Sequence, residues 1–368
     1  MKIGILGTRG IPNNYGGFEE CAQHLAVHLV KMGHQVWVYN SHRHPFAQKN
    51  FEGVEIIHKY DPEHRFGTVG QFIYDLNCII DSRQRDFEII LLLGYTSSSL
   101  WQRLIPKRPV IISNMDGLEW QRSKYSKSVR KFLRYAEKWA AQGSDILVAD
   151  SLAIQRHLNQ KYATDSVHIA YGAKDMSKSD ESVLETYNLE KEAYNLLVAR
   201  LEPENNIETI LDGVLVSETN LPFLVIGNHE TDYGSFLKSR YKDSRIRFLK
   251  GIYNKGKLDN LRHFAKLYFH GHSVGGTNPS LLEAMACKVF IVAHANPFNR
   301  EVLGDNAAYF SDSSDVANHL DHWEKTSAAQ EHIAANLRRI KDKYQWQLVA
   351  EEYEVTFQQA LIRKPNLA

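Results

Sequence analysis

The chain has 368 residues, 43% of them hydrophobic, and a formal net charge of +1. That length exceeds what a single hydrophobic core usually serves, so two domains are expected; the near-neutral charge excludes a general nucleic-acid binder. Cys21, Cys78 and Cys287 lie far apart and form no CxxC pair, and they read as reduced thiols of a reducing compartment. No apolar run approaches the roughly 20 residues of a membrane span. Residues 1–7 run straight into a strand pattern rather than a signal peptide, so a cytoplasmic protein is expected.

Along the chain, short apolar runs alternate with helix-length amphipathic stretches, the pattern of parallel βαβ units. Strands are predicted at 2–7, 35–39, 54–57, 88–93, 110–113 and 146–149, with helices at 19–32 and 124–141 between them. A polar, turn-rich stretch over 173–192 then interrupts the pattern. It restarts with strands at 195–199, 223–227, 246–249, 267–270 and 290–293, and residues 328–362, carrying Tyr344 and Trp346, read as helical. The fold class is thus α/β, with two Rossmann-like doubly wound domains, 1–172 and 190–344, joined by a linker at 173–189. Such domains hold ligands at the carboxyl ends of their strands, which makes the cleft between them the default site.

Three segments carry chemistry. The first strand runs into Gly7-Thr8-Arg9-Gly10, and the same loop ends in Gly16 and Gly17 at a helix start, where free N–H groups suit an anion. These glycines do not have the GxGxxG spacing, so a dinucleotide site is disfavoured; the ordinary alternative is a long strand-to-helix loop that needs glycine for its turns. Arg200 follows the first strand of the second half, where a guanidinium can pair with two phosphate oxygens, although alone it reads as a surface arginine. The most specific segment is 270–286. Asn278 suits a helix N-cap and Pro279 the first helical position, so Gly275, Gly276, Thr277, Asn278 and Ser280 would offer amides beside a helix N-terminus. Glu283, one turn deeper among apolar neighbours, is placed to accept from a ribose diol; the plain alternative is a solvated helix residue.

Two features of the first half stay open between a functional and an ordinary reading. Asp116, after a strand end, is either a carboxylate facing a ligand or a turn residue before Gly117. Between Gln121 and Trp139 lie Arg122, Lys124, Lys127, Arg130, Lys131, Arg134 and Lys138 with Glu137 as the sole acid. At helical spacing with Tyr125, Val129, Phe132 and Trp139, this reads as a basic amphipathic helix, facing either anionic lipid or simply solvent.

Arg200-Leu201 with Pro203-Glu204, the helix 279–286 with Leu282-Glu283-Ala284-Met285, and Glu301-Val302 with Gly304-Asp305 resemble the retaining glycosyltransferases of family 4. Asn114-Met115-Asp116-Gly117 and Gly275-Gly276-Thr277-Asn278-Pro279-Ser280 resemble a rhamnosyltransferase-like subgroup of surface polysaccharide synthesis. The resemblance spans nearly the whole chain. It implies a GT-B fold whose C-terminal helix, 345–362, crosses back to the N-terminal domain. It also implies transfer of a hexose, such as rhamnose, from a nucleotide-diphosphate donor to a saccharide or lipid-linked acceptor with retention. Arg200, Glu283 and Asp116 would be the catalytic residues, and Gly16, Gly17, Arg200, His272, Gly275–Asn278, Ser280 and Glu283 the donor contacts.

Two positions depart from the family pattern: Gly275 stands where members carry a glutamate, and Asn205 where they carry a lysine. His272 or the 275–278 backbone would then take over contacts to the donor sugar, and Arg9 is a further candidate for the phosphates. No zinc-like or DxD-like cluster is visible, so no metal or other cofactor is expected. Two rivals stay in view. A nucleotide-sugar epimerase would form product without acceptor, and a non-catalytic subunit of a polysaccharide assembly complex would bind nucleotide without turnover.

Overall fold

The computed structural model describes residues 1–14, 16–122, 124–164, 166–176 and 178–364. The chain forms two compact units, one of Met1–Gln121, Tyr125–Gly172 and the segment from Trp346, the other of Arg122–Lys124 and Ala173–Gln345. The first unit is built on a sheet of β1 (Lys2–Leu6), β2 (Gln35–Ser41), β3 (Asn50–Phe51), β4 (Val54–Lys59), β5 (Ile89–Leu93), β6 (Val110–Asn114), β7 (Ile146–Ala149) and β8 (Ser166–His168). Its spatial order is β3-β4-β2-β1-β5-β6-β7-β8, and only the β3–β4 pair is antiparallel. The second unit has an all-parallel sheet of β9 (Asn195–Val198), β10 (Phe223–Ile226), β11 (Ile246–Leu249), β12 (Leu267–His270), β13 (Ile291–His294) and β14 (Ala308–Phe310). These lie in the order β11-β10-β9-β12-β13-β14.

Burial explains the pattern. The β5 segment Ile-Ile-Leu-Leu-Leu is buried along its whole length, as a central parallel strand covered on both faces must be. Leu197, Val225, Phe269 and Val292, from four adjacent strands, share one core with Ile207, Ile210 and Leu211 of the helix Ile207–Val216. In each sheet the winding reverses once. β1 lies between β2 and β5, and β9 between β10 and β12. At such a switch point the loops leave toward opposite faces and open a crevice at the carboxyl edge. Gly7 stands at the first of these, at φ +93°, where an added Cβ would lie 2.3 Å from the Leu93 carbonyl oxygen.

The structure sharpens three expectations. Residues 328–362 are two helices, Ser327–Lys343 and Trp346–Arg363. The break comes at Tyr344, which leaves helical geometry and whose carbonyl accepts the Ala173 N–H at 2.6 Å. The second of these helices packs within the first unit. There the Trp346 ring stacks on His24 with centroids 4.9 Å apart, His34 meets Glu354 at 2.9 Å, and the Asn114 amide donates to the Tyr353 hydroxyl at 3.0 Å. The basic helix begins at Lys127 and runs to Gly143, because the Ser126 hydroxyl caps it by accepting from Val129 N–H. Finally, the turn-rich stretch contains a 3-10 turn, Glu181–Tyr187, that buries Leu184 in the second unit.

Candidate functional site

In the second unit the loops leaving β9 and β12 meet at the switch point. After β9 the chain presents Arg200, an exposed side chain, and enters the short turn Pro203–Asn205. That turn packs against the residue after β12, where an added Cβ on Gly271 would lie 2.0 Å from the Asn205 carbonyl oxygen; glycine is required by the close approach. Ser273 ties the loops together, its N–H and hydroxyl donating to the Glu204 carbonyl at 3.1 and 2.8 Å. Asn205 turns its amide inward onto the Arg200 carbonyl at 2.7 Å, so it braces the loop that carries the guanidinium.

The helix Pro279–Ala286 starts as its sequence demands, with the Asn278 side chain accepting Ser280 N–H at 2.9 Å and proline at the first position. Leu281 N–H bonds the Asn278 carbonyl at 3.0 Å. The amides left for an anion are therefore those before the helix: among the described residues, Gly275, Gly276 and Asn278 N–H meet no acceptor. Gly275 sits at φ +129° with open space where a Cβ would project. Thr277 is buried beneath this loop. The hydroxyl of Ser280, expected among the donor contacts, lies 2.7 Å from the Tyr268 hydroxyl and accepts from Arg262 at 3.3 Å.

Glu283 is held from below by a residue that sequence reasoning missed. Arg262, 1% exposed, places Nη2 2.6 Å from Glu283 Oε2 and Nη1 3.1 Å from Asp259. Lys255 stands 3.4 Å from Glu283 Oε1. Burial opposes the charge on Arg262, but Glu283, with smaller contributions from Tyr268, Cys287 and Asp259, outweighs it and raises its pKa. Arg262 and Lys255 thereby hold the Glu283 carboxylate in one orientation. The only signal for this was the i, i+4, i+7 spacing of Lys255, Asp259 and Arg262 on one helix face.

The loop's imidazoles are neutral. His272 is partly buried and stacks on His270 with centroids 4.4 Å apart. Burial, then repulsion from Arg200 and Arg122, pushes its pKa down to about 3. Burial, His272 and Arg262 hold His270 well below the ordinary value, and neither of its ring nitrogens finds a partner among the described residues. His272 can thus exchange neutral hydrogen bonds with a ligand but contributes no cation at neutral pH.

Gly16, Gly17 and Asp116 belong to the first unit. Gly16 is the N-cap of the helix Gly17–Lys31 and Gly17 its first residue. The helix start is occupied by its own buried Glu19, whose carboxylate accepts Arg9 N–H at 2.9 Å and approaches the place of a Gly16 Cβ to 3.3 Å. Arg9, expected near phosphate, is clamped bidentately by Glu63 at 2.9 and 2.6 Å. Asp116 follows β6 at φ +51°, its N–H donating to the Asn114 side chain at 3.1 Å; the turn geometry is real and leaves the carboxylate partly exposed.

Several cations of the basic stretch have partners within the protein. Arg122 pairs with Glu204 and Glu202, Lys124 with Glu202, and Arg130 donates to the Trp120 carbonyl. Arg134 lies over the Trp120 ring. Glu137 is buried and accepts from Trp120, His157, Lys161 and Tyr162; despite the cost of burial, these partners pull its pKa to about 2. Lys127, Lys131 and Lys138 are exposed.

Comparison with known proteins fits this geometry. Residues 181–340 match the family model of glycosyl transferases group 1, and residues 1–174 match a domain of unknown function, DUF1972. Among curated proteins none matches the chain in sequence. Sucrose-phosphate synthase from Thermosynechococcus elongatus superposes with a TM-score of 0.78 at 15% identity, over 98% of this chain and 99% of that one. HepE of Anabaena, solved with UDP and glucose, gives 0.74 at 17% identity over 98% and 100%. A glycosyltransferase from Rickettsia africae gives 0.72 at 14% over 98% of each. The chain thus has the α/β fold of these GT-B structures, and its residues 181–340 are similar to glycosyl transferases group 1.

Proposed function

We propose that the chain transfers a hexose, with rhamnose a candidate, from a nucleotide-diphosphate donor to a saccharide or lipid-linked saccharide with retention, in surface polysaccharide synthesis. The observation that carries this reading is the set of groups at the β9/β12 switch point. These are the Arg200 guanidinium, the Gly275, Gly276 and Asn278 amides, and the Glu283 carboxylate fixed by Arg262. The first two suit a diphosphate and the third a ribose diol. That HepE has been solved with UDP and with UDP-glucose supports a donor of this class. Arg200 and the amides would stabilise charge growing on the departing diphosphate, and no metal is needed in this scheme. Asp116 would act on the acceptor side.

The exposed Lys127, Lys131 and Lys138, with Val129 and Tyr135 40% and 48% exposed on the same helix, favour reversible contact with an anionic membrane surface on the cytoplasmic side. No helix among the described residues is long and apolar enough to cross a membrane.

The test is a thermal-shift and turnover screen with UDP-, dTDP- and GDP-sugars. One donor is expected to raise the melting temperature and to release nucleoside diphosphate only when acceptor is present. Product formed without acceptor would mean an epimerase. Binding without turnover on any acceptor would mean a non-catalytic subunit.

A further inference from the structure

A departing nucleoside diphosphate carries more negative charge than one guanidinium balances, and in the second unit Arg200 is the cation already assigned to it. Lys255 and Arg262 are committed to Glu283 and Asp259. Arg122, grouped with this unit, is paired as well, but with two carboxylates that follow Arg200 in the loop after β9. Its side chain is 11% exposed, and Nη1 lies 3.5 Å from Glu204 Oε1 and 3.7 Å from Glu202 Oε2. Glu204 is also the residue whose carbonyl receives both Ser273 bonds, so one residue carries Arg122 and anchors the 272–276 loop. Lys124 holds Glu202 from another side at 2.8 Å. With Arg200 exposed at the same edge, three cations face two carboxylates, and the cluster keeps net positive charge beside the loop. That charge reaches the loop, since Arg122 joins Arg200 in disfavouring a proton on His272.

We propose that Arg122, bracketed by Glu202 and Glu204, is a second cation of the diphosphate site and meets the leaving group beside Arg200. The inference rests on the nucleotide-sugar reading above. It assigns a residue outside the 195–286 motifs to the chemistry of transfer.

The test is calorimetric titration of wild type, Arg122→Ala, Arg122→Lys and Arg200→Ala with UDP, dTDP and GDP and with the matching monophosphates. For the base that binds, Arg122→Ala is expected to weaken the diphosphate about tenfold, the scale of one charged hydrogen bond, and the monophosphate less than about twofold. Arg122→Lys, which keeps the charge, should recover part of the loss. A similar loss for both nucleotides would show that Arg122 only braces the 202–205 turn, and no loss would show that it is uninvolved; either overturns the proposal. If wild type binds none of the nucleotides, the donor reading fails and this inference with it. If wild type binds and Arg200→Ala weakens it while Arg122→Ala binds like wild type, the inference alone has failed.

Discussion

Replacing Glu283 with glutamine probes the least exposed charge at the site. Arg262 is 1% exposed, and its guanidinium makes its shortest contact, 2.6 Å, with Glu283 Oε2. Removing one partner of a buried pair typically costs about 3–5 kcal/mol because a charge is left uncompensated. Here Asp259 stays at 3.1 Å, the Ser280 hydroxyl at 3.3 Å, and the glutamine oxygen can still accept. The loss should therefore be smaller, about 2 kcal/mol, near the worth of one charged hydrogen bond. In a unit of this size each kcal/mol moves the melting temperature by roughly 2–4 °C, so scanning calorimetry should show a fall of about 4–8 °C. Pairing Glu283→Gln with Arg262→Met should cost less than the sum of the single changes, since the stranded cation is gone. Nucleoside diphosphate affinity should fall as well, by about 1–2 kcal/mol, through the lost carboxylate acceptor. A Glu283→Gln protein with wild-type melting and wild-type affinity would refute both the structural and the binding role.

Arg200→Ala should lower kcat by about 10²-fold with a smaller change in donor affinity, because its partner charge grows toward the transition state; steady-state kinetics that show only a raised KM would contradict this. The same assay should proceed unchanged in chelator, and a strict divalent-cation requirement would overturn the metal-free scheme. Below about pH 6.5 an unfolded chain protonates His272 while the folded one, with its pKa near 3, does not. The unfolded state then binds more protons, so stability should fall with pH between about 6.5 and 3 by up to about 1.4 kcal/mol per pH unit from this residue. Denaturant titrations of His272→Gln should show a shallower acid loss, and an unchanged slope would refute the burial argument. Lys127, Lys131 and Lys138 changed together to glutamine should release the protein from anionic liposomes at low salt, each lysine being worth about 1 kcal/mol. Wild-type protein that ignores such liposomes would make the helix a solvated face.

Central strands were legible because a parallel strand buried on both faces is largely apolar, wholly so in β5 and broken only at one end by Asn195 in β9 and His270 in β12. The edge strands β3 and β8 and the terminal strand β14 span only two or three residues, too few for periodicity to register. The helix start at Asn278-Pro279 could be read because capping is local chemistry. The inward turn of Ser280 could not, since it depends on Tyr268 and Arg262 from other elements. The break at Tyr344 likewise follows from a bond to Ala173, far away in sequence. Long-range ion pairs such as Arg262–Glu283 and Arg122–Glu204 leave almost no local trace, so the residues supporting the site stayed hidden while its motif stood out.

A crystal structure of the protein with the nucleoside diphosphate that the screen selects would show where the donor sits. Diphosphate oxygens are expected within about 3 Å of the Gly275, Gly276 or Asn278 amides and of the Arg200 guanidinium, with the ribose hydroxyls on Glu283. A nucleotide bound elsewhere, or bound here with its ribose away from Glu283, would contradict that placement.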